Sequence, residues 1–158
     1  MTAKIPREWG GLTEAENLQT LCTECNQGKK AFFAAFDSEQ MGHVMTLRSV
    51  HERLAKILML NVGTSIDPDV LEMVTGGDGF QDDWKKRFRE LRYTGLEVEV
   101  LKRKVGKRVI AAYRALNTVD LPNELSKWIR TYEKDREIRN RAESSLDLDS
   151  NYLRLSNL

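Results

Sequence analysis

Apolar residues recur at three- and four-residue steps between Leu47 and Leu60, at Leu47, Val50, Leu54, Ile57 and Leu58, and predict a helix. Gly63 is its stop signal. Asp67 and Pro68 then supply the cap and first turn of a shorter helix ending at Thr75, before Gly76-Gly77-Asp78-Gly79. Trp84, Phe88 and Leu91 form a stripe on a third predicted helix, Asp83–Tyr93, capped by Asp82 or Asp83 and ended by Gly95. The period then changes. Leu96, Val98 and Val100 alternate with Glu97 and Glu99, Gly106 supplies a turn, and Arg108–Leu116 reads as the returning strand.

The flanks are less regular. Residues 1–16 read as a turn-rich segment with Pro6 and Gly10-Gly11, in which Thr13 to Glu16 fits a capping box. A helical pattern from Asn26 to Phe36 places Phe32, Phe33 and Phe36 on one side, and Asp37–Thr46 reads as a polar connector. Pro122–Ala142 reads as one charged helix, with Leu125, Trp128, Ile129, Tyr132 and Ile138 at its apolar positions. Residues 143–158, rich in Ser, Asp and Asn, are expected to form a mobile tail. The resulting fold class is mainly α with a small β-hairpin (α+β). Three helices followed by a hairpin have the layout of a winged helix-turn-helix, assigned to 43–118. It is preceded by a separate segment over 1–42 and followed by a long C-terminal helix over 119–142.

Composition narrows the classes. With 158 residues, 41% hydrophobic and 31% charged, the chain can bury one core and carries long polar faces. No apolar run reaches the ~18–20 residues a membrane span requires, and the N-terminus has no apolar signal core, so a cytoplasmic location is expected. A net charge of +1 excludes a uniformly basic polyanion binder and leaves the question to local charge.

That charge is concentrated in two places. In a helix-turn-helix the second helix of the motif enters the major groove. Here that helix carries Lys85, Lys86, Arg89 and Arg92 away from its apolar stripe. The hairpin tip adds Lys102, Arg103, Lys104, Lys107 and Arg108, suited to phosphates or a minor groove. Either element alone also fits a solvated basic face. Their coincidence in this architecture points to double-stranded DNA. Glu90, Glu97 and Glu99 are expected to soften the patch.

Two cysteines, Cys22 and Cys25, stand in a Cys-x-x-Cys arrangement, a spacing used for metal binding or redox chemistry. Ile5-Pro6, Gly10-Gly11, "ENLQTLC" at 16–22 and "CTECNQGK" at 22–29 together resemble the later part of an HNH (His-Asn-His, ββα-metal) endonuclease domain. Trp84, Arg87, Arg89, Leu91, Arg92 and Gly95 are likewise similar to a segment of winged-helix modules fused to restriction-type HNH endonucleases. The resemblance implies that Asn17 matches the middle Asn, Asn26 the final metal-binding position, and Cys22 and Cys25 the second half of a structural Cys₄ zinc site. It places the general-base histidine at Ala3 and the acidic metal ligand at Thr2, which lack the necessary groups. The first zinc pair and the first strand of the ββα unit would fall before Met1. The chain is therefore expected to be a C-terminal piece of a nuclease or a shortened derivative.

Of the two histidines, His43 is a candidate substitute zinc ligand and His51 reads as a surface or capping residue. Zinc shared between two copies is an alternative, as are two plain thiols. Three readings stay open. The first is a DNA-binding module that does not cut DNA as it stands. The second is an HNH endonuclease using a divalent metal such as Mg²⁺ when upstream sequence or a second chain completes it. The third is a winged-helix protein-interaction module. A homodimer is compatible with each, and no membrane partner is expected.

Overall fold

The computed structural model describes the backbone of residues 1–76 and 83–155, with side chains except at 28, 29, 31, 32, 105, 108 and 143–155. The chain is mainly helical, with two small antiparallel two-stranded sheets and a long C-terminal helix. Residues 1–121 form one compact unit and 122–158 a second.

The first unit begins with β1 (Thr2–Ala3), which pairs antiparallel with β2 (Leu18–Gln19), followed by helix α1 (Thr23–Ala34). Residues 2–3, read from the sequence as part of a turn-rich segment, thus form a short strand. The loop between the strands carries a tight turn at Arg7–Trp9, whose Trp9 is buried against Phe33 and Phe36 with ring centroids 4.9 and 6.0 Å away. Phe32, expected in the same cluster, has a side chain outside the described residues. The capping box at Thr13 does not form. The Thr13 hydroxyl instead accepts from the Arg7 guanidinium, and a short turn at Ala15–Asn17 starts without a side-chain cap.

The polar connector of the sequence reading is a helix, α2 (Ser38–Thr46). Asp37 caps it by accepting the Gln40 N–H, and Met41 and Val44, three residues apart, bury its one apolar face. Its three apolar positions, Met41, Val44 and Met45, span little more than one turn, too short a run to declare a period. Helix α2 packs on the Arg7–Trp9 turn and on α3 (Val50–Leu60), so a division at residue 42 falls inside a packed helix. Ser49 and Glu52 form a full capping box at the start of α3. Its Leu54, Ile57 and Leu58 are the centre of the core, facing α4 (Pro68–Thr75) and α5 (Trp84–Glu90).

After α5 a short turn at Leu91–Thr94 ends on Gly95 in the left-handed conformation. Strands β3 (Val98–Val105) and β4 (Arg108–Ala115) pair in register from Val98↔Ala115 to Val105↔Arg108, around Gly106 with φ of 59°. Ile66, between α3 and α4, pairs with Tyr113 on the other side of β4, each amide donating to the other's carbonyl at 2.7 and 2.9 Å.

The second unit is α6 (Leu125–Leu155), on which Trp128 stacks against Tyr132 at 5.4 Å. It runs on past Ala142 through residues assigned to a mobile tail. With no Gly or Pro after Pro122, nothing local ends it. Among the described residues no helix is long and apolar enough to cross a membrane.

Candidate nucleic-acid interface

The amphipathic pattern of α5 decides which of its charges face water. Asp83 accepts the Lys86 N–H and fixes the start of the helix, while Asp82 lies outside the described residues. Trp84 and Leu91 are buried, and Phe88 lies 4.7 Å from the Tyr113 ring of β4, which locks the helix onto the hairpin. Lys85, Lys86, Arg89 and Arg92 are left exposed, as expected, with no carboxylate partner among the described residues.

Glu90 does not soften this face. It is 3% exposed and points inward, where its Oε2 lies 2.6 Å from His51 Nε2 on α3 and 3.2 Å from an Arg87 guanidinium nitrogen. His51, read as a surface or capping residue, is itself buried at 4%. Its spacing, four residues after Leu47, three before Leu54 and seven before Leu58, puts it on the apolar face of α3, where Glu90 of α5 meets it. Glu99 is also neutralised within the fold, by Arg114 across the strand pair, leaving exposed Glu97 as the one carboxylate of the three without such a partner among the described residues.

The hairpin sorts its cations by strand parity. Lys102 and Lys104 share a face with Ala111 and Val109, their paired residues, and both lysines are exposed. Val100 and Val109 are 57% and 66% exposed on that same side. Arg103 points the other way and donates to Asp67 Oδ2 at 2.7 Å. This reverses two expectations: Asp67 makes no side-chain cap on α4, and Arg103 is engaged within the fold. Lys107 is exposed at the turn, and the Arg108 side chain lies outside those described. Helix α5 and the hairpin therefore present seven cations with no ion pair among the described residues: Lys85, Lys86, Arg89, Arg92, Lys102, Lys104 and Lys107.

The nuclease-like residues lie in the β1–β2 loop and at the start of α1. Asn17 fastens the β1–β2 loop: its Oδ1 accepts the Ile5 N–H at 2.8 Å, and its Nδ2 donates to the carbonyls of Ile5 and Leu12 at 3.0 and 2.7 Å. Gly11 sits so close that a Cβ there would overlap the Ile5 carbonyl. Asn26 lies in the first turns of α1 with a buried Oδ1 that lacks a hydrogen-bond partner among the described residues.

Cys22 and Cys25 are exposed free thiols. The Cys25 backbone N–H, donating to the Cys22 sulfur, pulls the Cys22 thiol below the usual thiol range. The hydrogen bond to Cys22, and then its charge, push Cys25 above that range. His43 is exposed on α2. Among the described residues no group of three or more His, Cys, Asp and Glu side chains could hold a metal ion. Two thiols do not fill zinc's four positions, so the described residues of one copy do not by themselves fit zinc.

No protein family, curated protein or solved structure matches the chain.

Proposed function

We propose that this chain is a double-stranded DNA-binding module, a winged helix-turn-helix joined to the remnant of an HNH restriction-type endonuclease domain. The observation that carries the reading is the set of unpaired cations on α5 and on the hairpin tip, in an element order that suits groove binding. The order α3, Ile66 bridge, α4, α5, β3, β4 supports the winged-helix frame, because Ile66 supplies the short third strand beside β4. In this reading α5 enters the major groove. The face bearing Lys102 and Lys104 meets the adjoining backbone.

If all seven unpaired cations met phosphates, log K would fall against log salt with a slope of about −6. The test is anisotropy with a mixed-sequence duplex across a salt series. A slope near −3 to −6 is the expected result. No binding at low salt would overturn the reading and direct attention to the protein-interaction alternative.

One observation favours a second reading, an endonuclease completed by further sequence or a second chain. Asn17 holds its loop by three hydrogen bonds, and β1, β2 and α1 follow in ββα order. By itself the chain has alanine and threonine where that chemistry needs an imidazole and a carboxylate, so it is expected not to cleave DNA in Mg²⁺. Mg²⁺-dependent cleavage by the pure chain, lost in Asn17→Ala, would contradict this.

A further inference from the structure

The cysteine pair belongs to the start of α1, not to α5 or the hairpin. Cys22 immediately precedes the twelve-residue α1, and its carbonyl accepts the Asn26 N–H, which makes it the residue that opens the helix. Cys25 lies in the first turn, and its backbone N–H donates to the Cys22 sulfur at 3.4 Å. Both side chains are open to solvent. Amide groups at a helix start favour a negatively charged sulfur, and a neighbouring thiol in reach is what resolves a mixed disulfide.

We propose that Cys22 and Cys25 form a dithiol–disulfide exchange site whose substrate class is a disulfide, a role independent of the DNA reading. Cys22, as thiolate, attacks one sulfur of R–S–S–R. A Cys22–S–S–R bond forms and R–S⁻ leaves, taking up a proton. Cys25 then loses its proton and attacks the Cys22 sulfur, closing the Cys22–Cys25 disulfide and expelling the second R–S⁻. The chain is oxidised by two electrons, and the disulfide is reduced to two thiols. The ring so closed spans only the opening turn of α1, so the exchange requires no change in the rest of the fold.

The experiment uses the full chain, reduced and desalted, in buffers of graded oxidised-to-reduced glutathione ratio, read by intact mass, free-thiol count and a non-reducing gel. The expected result is loss of both thiols together, a mass lower by two hydrogens and a band that remains monomeric. Cys25→Ser should stop at a glutathione adduct on Cys22, and Cys22→Ser should react on the order of tenfold more slowly. Wild-type protein that halts at glutathione adducts, or cross-links between chains, would overturn the proposal. So would thiols blocked by zinc at about half an ion per chain, which points to a site shared by two copies.

Discussion

Replacing Glu90 by alanine tests how α5 is held on α3. The carboxylate is 3% exposed and joins α5 to α3 through His51 at 2.6 Å. A buried hydrogen bond to a charged group contributes about 1.5–3 kcal/mol. The Arg87 contact adds less than ~0.5 kcal/mol, since that side chain is partly solvated and three residues away on the same helix. The truncated volume adds a small cavity cost, bringing the expected loss to about 3 kcal/mol. That is a large share of the ~5–15 kcal/mol that stabilises an ordinary domain. Urea unfolding followed by tryptophan fluorescence would read it, Trp84 being buried beside Phe88 and Tyr113. With m near ~1.5–2 kcal/mol/M the midpoint should fall by about 1.5–2 M, and Glu90→Gln should lose roughly half as much. In a double-mutant cycle with His51→Ala the two losses should overlap by at least ~1 kcal/mol. A midpoint within ~0.3 M of wild type, or strict additivity, would show that the pair does not tie α5 to α3.

Three further outcomes are expected. Lys104→Ala should reduce the salt slope of duplex binding by about 1, whereas Arg103→Ala should change it by well under 1, because Arg103 is engaged by Asp67; equal effects in anisotropy would refute that distinction. Asn17→Ala leaves the Ile5 N–H and two carbonyls without their partner and should cost about 1–3 kcal/mol in thermal or urea unfolding; an unchanged midpoint would mean the loop is held otherwise. With the Cys22 thiol lowered and the Cys25 thiol raised, iodoacetamide mapping below the ordinary thiol range should label Cys22 first, the preference shrinking as pH rises through both; the opposite order would contradict the hydrogen-bond direction.

The parts of the fold legible in the sequence were those with a sustained period. The α3 stripe, the Trp84–Phe88–Leu91 stripe and the alternation into β3 each repeat often enough to declare their geometry. Helix α2 was hidden because two buried residues and one cap make no period. The cations of α5 could be assigned to a face from spacing alone. What their neighbouring carboxylates do could not, because His51 and Glu90 are 39 residues apart and Asp67 and Arg103 36. The cap expected at Asp67 and the free charge expected at Arg103 were inferred from local pattern alone, and neither holds. Tertiary pairing then gave both a different partner. The order of Asn17 relative to Ile5 and Gly11 carried the nuclease resemblance, but its three hydrogen bonds emerge only when the loop closes.

Among the described residues, the hairpin is guarded unequally along its two sides. At Tyr113, β4 is flanked by Ile66 as well as by β3, whereas β3 has β4 alone as its neighbour. A strand with one open side can recruit another chain's backbone, and natural sheets deter this with lysine and arginine. Lys102, Arg103 and Lys104 fall consecutively on that open strand. Side chains proposed to grip phosphates therefore also keep copies of the protein from stacking edge to edge. Stripping the charge from this strand to weaken DNA binding would at the same time remove the barrier to self-association, so such variants should lose solubility as well as affinity.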